Sequence, residues 1–403
     1  MPDSRLSDAS RRRALVFGIV VNLGVLGFFK YTHFLVENIE WALGTRFYLM
    51  EIVLPLAISF FTFQQIAYLV DSYRGTTHET ELVNYLLFVT FFPQLIAGPI
   101  VHHAEVLPQF EDETRKTLSW DNIARGLHVF AIGLFKKVVL ADSLALFVRL
   151  GFDTEVPLSV FEAWVVTFSY TFQLYFDFSG YTDMGLGAAR MFNIELPQNF
   201  RSPYKALNIQ EFWRRWHITL SRWLTSYLYI PLGGSRQGLA RTLRNLIITF
   251  LLGGLWHGAG WTFIVWGACH GIATIVHRLF SLTRKQLPWI LAWFFTFLFV
   301  HIAWVFFRAL TLKSAFLNIK ALFGFAPLFA MNIFDRVHIF DFSLYMSLLG
   351  LSFIIVLAFP NSQELSKRLK LTRVEVAKLV FLLTISFLFM NTTTPKEFLY
   401  FDF

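Results

Sequence analysis

Two short stretches hold most of the side chains able to do chemistry. "FWRRWHITLSRWL", residues 212–224, packs Arg214, Arg215, Arg222, Trp213, Trp216, Trp223 and His217 together. "GGLWHGAGWTFIVWGACHG", residues 253–271, carries His257 and His270 in an almost uncharged run. A desolvated neutral imidazole beside a cavity can serve as general base toward a hydroxyl. Guanidinium forks match the geometry of phosphate. His257 stands between Trp256 and Gly258, with glycines at 253, 254, 258 and 260. Glycines this dense loosen a helix and let backbone or ligand approach closely. On an unbroken helix, His257 and His270 would point about 220° apart. Their convergence therefore requires a break, expected at 258–260.

A third polar stretch is "YFDFSGYTDMGLGAARMFNIELPQNFRSPY", with Asp177, Asp183, Arg190, Asn199 and Arg201. Asp183 and Arg190 are expected to form a packing ion pair rather than a reactive one. A metal site built from His217, His257, His270 and Asp177 is a rival reading, but no HxxxH or HxxE spacing supports it. No metal is therefore expected. The single cysteine, Cys269, permits no internal disulfide. Neither a P-loop, a Rossmann glycine fingerprint nor a GxSxG elbow is present. His33, His102, His103, His128, His277 and His301 read as packed or loop histidines.

These residues sit in a chain built for lipid. Of 403 residues, 55% are hydrophobic and 15% charged, and mean hydropathy is +0.53. Runs of about 20 apolar residues read as spanning helices. The longest cover 14–37, 157–176, 261–280 and 288–310, with interrupted ones near 47–70, 82–101, 127–148, 245–256, 343–359 and 376–390. The fold class is thus an all-α integral membrane protein, a single domain over 1–403. "RRR" at 11–13 predicts a cytoplasmic N-terminal tail, 1–13, by the positive-inside tendency. Residues 201–245 hold eight Arg or Lys against one acid, Glu211, which accounts for +7 of the net +8.

That region reads as interfacial or re-entrant: a membrane-lipid anchor or a phosphate-binding surface for a nucleotide thioester. If all five apolar runs before it crossed the bilayer, it would lie outside, against the positive-inside tendency. Pro93, Gln94, Gly98 and Pro99 break the run 82–101, and a re-entrant segment there restores the parity. "LPLAISFFTFQQ" and the pair Lys136–Lys137 mark further irregular segments. Nucleic acid is excluded as a partner, because no soluble basic domain exists to present it to.

"DFSGYTDMGLGAARMFNIELPQNFRSPYKALNIQEFWRRWHITLSRWL", "YLYIPLGG" and "GGLWHGAGWTFIVWGACHG" resemble the membrane-bound O-acyltransferase (MBOAT) family. "LPLAISFFTFQQIAYLVDSYRG", "FFPQLIAGPIV", "WVFFRA" and "FLYFDF" fit the same pattern, so the likeness runs nearly end to end. Within the family, the chain is most similar to the bacterial branch that O-acetylates alginate and other exported polysaccharides. The resemblance implies a multi-helix bundle around a tunnel in the bacterial inner membrane. A cytoplasmic thioester donor, acetyl-CoA, is implied, with no bound cofactor. An exported polysaccharide acceptor and a periplasmic SGNH-type acetyltransferase partner are implied as well.

The family's invariant membrane histidine corresponds to His257, and His217 and His270 are its companions in acceptor orientation or in lining the path. Arg214, Arg215, Arg222, Trp213, Asn199, Asp177 and Trp256 are the candidate donor- or substrate-binding residues. Acyl transfer from a carrier protein, as in the D-alanylating branch, is the alternative within the enzyme class. A non-catalytic transporter or scaffold is the alternative outside it. Relatives often read Arg-Asp where this chain has Thr225 and Ser226, which bears on donor handling. They also begin with a further hydrophobic hairpin before the "RRR" stretch, so a shorter variant or a late start is expected here.

Overall fold

The computed structural model describes residues 7–77, 81–95, 98–154, 156–370, 372–392 and 398–399. All regular structure among them is helical, which lets the backbone satisfy its own hydrogen bonds in lipid. Helix α1 (Asp8–Leu43) starts where the Ser7 side chain accepts from the Ser10 amide and stops at left-handed Gly44. Its 36 residues extend about 54 Å, beyond the hydrocarbon thickness of about 30 Å. Its outer face is apolar and exposed, as a lipid-facing surface must be. Helix α2 (Ile58–Arg74) packs along it, preceded by irregular backbone over 50–57.

Helix α3 (Leu82–Thr90) has only nine residues and gives way to a 3₁₀ turn, Phe92–Gln94. At about 14 Å it is too short to cross, which is the geometry expected of a re-entrant segment. After α4 (His103–Glu111), helix α5 (Trp120–Phe135) runs into α6 (Asp142–Phe152) through a π-helical turn, Lys136–Ala141. The lysine pair thus marks a real irregularity. Helix α7 (Val160–Met191) begins with a capping box between Ser159 and Glu162 and is buried along most of its length. It packs against both α5 and α6 and forms the hub of the bundle.

The α5–α7 seam carries charge. Lys136 meets Asp183 at 2.6 Å, and Lys137 meets Asp177 at 2.6 Å and Asp142 at 2.9 Å. The expected Asp183–Arg190 pair is not what forms: Arg190 instead donates to Asn122 Oδ1 at 3.4 Å. Asp183 faces α5, and Ser362 donates to its second oxygen at 2.6 Å. Lys136 and Asp183 are both buried, so Lys136→Met leaves an uncompensated carboxylate. A loss of about 3–5 kcal/mol is expected for breaking such a pair, read as a lower melting temperature of the detergent-solubilised protein.

The basic stretch follows as α8 (Ile209–Trp213) and α9 (Ile218–Leu224), then a π-helical turn, Thr225–Tyr229. It is not one interfacial helix. A turn at Arg214–His217 breaks it, and Trp216 and Trp223 pack inside the protein rather than at headgroup level. Helices α10 (Leu239–His257) and α11 (Trp261–Leu282) form a hairpin, followed by α12 (Trp289–Arg308) and α13 (Leu312–Leu322). The chain continues through α14 (Ile339–Ala358), α15 (Ser362–Arg368) and α16 (Arg373–Thr392). Among the described residues, α1, α11, α12, α14 and α16 contain segments long and apolar enough to cross a membrane.

Candidate active site

The helix break expected between the two histidines is present. Helix α10 ends at His257, Gly258 and Gly260 are both extended, and α11 begins at Trp261. The two helices then run back along each other with almost no separation at the glycines. A Cβ on Gly254 would strike the Phe263 carbonyl and come within 3.1 Å of Gly267 Cα. This crossing brings both histidines to one indole: Trp266 lies 5.1 Å from the His257 ring and 4.7 Å from the His270 ring.

A cavity of about 480 Å³ opens along the hairpin, within the size range of small-molecule sites. Thr242, Leu246, Thr249, Phe250, Gly253 and His257 line it from α10. Their spacing puts them on one helical face over about 22 Å. Trp266, Thr274, His277 and Arg278 line it from α11. Because the helices are antiparallel, His257 and Trp266 share one end while Arg278 and Thr242 share the other. Trp213 of α8 and Arg214 in the turn after it also reach the wall, as do Ser221, Leu224 and Thr225 of the α9 segment.

The three arginines of the basic stretch divide by partner. Arg222 is held by Glu105 through two contacts, 2.5 and 2.9 Å, and Arg215 is held by Glu211 at 2.6 Å. Arg214 and Arg278 line the cavity, and neither has a carboxylate within ion-pair distance among the described residues. The basic end lies on the side of the N-terminal arginines. Arg11 donates to the Tyr73 carbonyl at 3.1 Å, and the guanidinium of Arg74 sits 5.7 Å over the ring of Tyr227. Tyr227 belongs to the same π-helical turn as the lining residue Tyr229.

The companion histidines are fixed from behind the wall. His217 is fully buried at a left-handed backbone position, φ +43°, which non-glycine residues adopt rarely. Asn199 Oδ1 accepts from the amide and hydroxyl of Thr219, at 3.2 and 2.9 Å, which identifies it as the oxygen. His217 Nδ1 lies 3.1 Å from that oxygen and therefore donates to it. His270 Nδ1 accepts from the indole N–H of Trp213 at 3.2 Å, so the proton of its neutral ring is on Nε2. Trp256 stacks on Phe63 at 4.9 Å, and Phe63 stacks on Trp223 at 3.7 Å, tying α10 through α2 to α9.

Asp177 lies apart from this group, committed to Lys137 and to the Leu399 amide at 2.9 Å. Among the described residues, no three His, Cys, Asp or Glu side chains are grouped to hold a metal ion. Thr225, at the position that departs from the Arg-Asp pattern, lines the cavity and donates to the Ser221 carbonyl at 2.7 Å. His301 is a packed histidine as expected, bonded to Thr171 at 2.8 Å and Thr167 at 3.2 Å. Two cavity residues escaped the sequence reading, His277 and Arg278. His277 lies three helical turns from Trp266 on nearly the same face, with Arg278 beside it, and that spacing was the available signal.

Residues 78–317 match the membrane-bound O-acyltransferase family, MBOAT. The chain belongs to this family. It is accordingly a multi-pass membrane acyltransferase, and the MBOAT match covers both cavity-lining helices of the hairpin. A peptidoglycan O-acetyltransferase of Helicobacter pylori is 47% identical over 98% of this chain and 83% of its own length. A probable alginate O-acetylase of Azotobacter vinelandii is 44% identical over 78% of this chain, and the match spans 64% of that protein. A teichoic acid D-alanyltransferase of Bacillus subtilis is 26% identical over 58% of this chain and 62% of its own length.

Proposed function

We propose that this MBOAT protein moves an acetyl group from cytoplasmic acetyl-CoA to hydroxyls of an exported polysaccharide. The observation that carries the reading is the cavity that joins Arg214 and Arg278 to His257. Two cations without carboxylate partners among the described residues suit the phosphates of a nucleotide thioester. Their position on the side of the N-terminal arginines fits cytoplasmic entry. In this mechanism His257 accepts the proton of the acceptor hydroxyl as its oxygen attacks the thioester carbonyl. The C–S bond then breaks, the imidazolium returns the proton to sulfur, and an acetyl ester and free thiol leave.

His217 and His270 support the path from behind its wall, held by Asn199 and Trp213. Trp256 anchors the histidine's helix, Asp177 braces α7 from a distance, and Arg215 and Arg222 support the wall through their carboxylates. The acceptor class follows the relatives named for peptidoglycan and alginate, and an SGNH-type periplasmic acetyltransferase would complete delivery.

The test is transfer by purified protein in proteoliposomes loaded with radiolabelled acetyl-CoA on the side of the N-terminus. The expected product is alkali-labile acetate on a supplied glycan or on an added SGNH-type partner. Transfer only from a D-alanyl carrier protein would move the reading to the carrier-dependent branch. Labelled donor that crosses without any acyl product would make the protein a transporter.

A further inference from the structure

The end of α10 lies inside the protein, where no bulk water can serve its last carbonyls. Such orphan groups need partners, and every one of them has one. The Gly254 carbonyl accepts from the Gly258 amide at 3.4 Å. The next three are served by consecutive residues of α1. Tyr31 donates its hydroxyl to the Leu255 carbonyl at 2.8 Å, and Lys30 Nζ donates to the carbonyls of Trp256 at 2.5 Å and His257 at 3.3 Å. A third acceptor for Lys30 is Ser59 Oγ of α2, at 3.3 Å.

Lys30 is an unusual residue for this place. It is the only Lys or Arg in the apolar run 14–37 of a spanning helix, is buried, and has no carboxylate within ion-pair distance among the described residues. A cation buried in a membrane segment is costly and marks function by default. What offsets the cost here is three oxygen acceptors for the three donors of an ammonium. Two of these are carbonyls at the negative end of a helix, where a cation is favoured. Its ammonium also lies 5.8 Å from the Trp256 ring, on the aromatic stack that braces α10.

We propose that Lys30 is a positioning residue for acyl transfer. Its ammonium clamps the last turn of α10 across the bundle, ends that helix at His257, and so fixes the imidazole at the end of the cavity. Tyr31 and Asn38 of the same helix extend the clamp, Asn38 by accepting from the Trp261 indole N–H at 2.9 Å on the far side of the break. The proposal rests on His257 being the reacting histidine.

The experiment compares Lys30→Met, Lys30→Arg and Ser59→Ala in the full-length protein, with steady-state kinetics against acetyl-CoA on the folded, monodisperse fraction. Lys30→Met keeps the stem but removes the donors. A drop in kcat of about 10²-fold with donor KM within about threefold is expected, since a misplacement near 1 Å costs that much. Lys30→Arg should recover at least about a tenth of the rate, and Ser59→Ala, which removes one acceptor, should lie between.

Wild-type kcat in Lys30→Met would overturn the proposal. So would a change confined to KM, or Lys30→Arg activity no better than Lys30→Met. Should Lys30→Met yield no folded protein, Ser59→Ala decides: an unchanged kcat overturns the clamp and a lowered one supports it. Activity in His257→Ala would instead overturn the reading of the reaction, whatever the Lys30 variants do.

Discussion

His257→Ala is expected to abolish acetyl transfer while the protein still inserts, folds and binds its donor. Among the described residues, the alanine removes the only imidazole that lines the cavity at its apolar end, and Trp256, Trp266 and Phe307 pack round that ring at 4.9 to 5.1 Å. A positioned general base contributes about 10²–10⁴-fold, and water is a poor substitute in such surroundings. The measurement is acetate released by alkali from product glycan, with donor affinity followed in parallel. His270→Ala and His217→Ala should fall less far, because each ring is bonded behind the wall and acts on the site through packing. Near-normal acetate content in His257→Ala would remove the catalytic assignment and favour a transporter.

How much of this was legible in the sequence depended on whether the signal was local. The break between His257 and His270 was readable because its cause, the glycines at 258 and 260, lies within the motif itself. The short segment after residue 82 was readable for the same reason, since Pro93 and Gln94 lie in the apolar run itself and the helix ends just before them. Pairings across the bundle were not. Asp183 was matched with Arg190 on its own helix, whereas its cation is Lys136 in the π-helical turn after α5. Nothing in the spacing of "AARMF" could show which face of α7 would meet another helix. Lys30 stood in plain view as a lone cation in an apolar run, yet its two carbonyl acceptors lie 226 and 227 positions away.

The basic stretch shows both limits at once. Composition gave its charge correctly, but not the fact that two of its arginines are neutralised by Glu105 and Glu211. Glu211 is four residues from Arg215, a spacing that marks a helical ion pair. Glu105 is on α4, beyond the reach of any local rule. The left-handed turn at His217 was equally hidden, because the residue is not a glycine. It is imposed by the neighbouring strand of chain: the Ile218 amide donates to the Asn199 carbonyl at 2.9 Å and the Arg201 amide to the Arg215 carbonyl at 2.9 Å.

Arg278→Gln and Arg214→Gln are each expected to raise the KM for acetyl-CoA by about tenfold or more, with kcat changed little. A hydrogen bond to a charged group is worth about 1.5–3 kcal/mol, which converts to about 10–100-fold in affinity. Uniform loss of ground-state and transition-state binding appears in KM rather than kcat. Arg215→Gln and Arg222→Gln serve as comparisons, since their guanidinium groups already face carboxylates. They should lower thermal stability only slightly, because partly exposed ion pairs contribute little, and leave donor KM within about threefold.

A truncated acetyl thioester without phosphates separates donor binding from lipid anchoring. Its KM should be high in the wild type and indifferent to Arg278→Gln, whereas an arginine serving only anionic lipid would leave both donors unaffected. In that case activity would follow the anionic lipid content of the vesicle instead, and the cavity's basic end would be an anchor rather than a donor site.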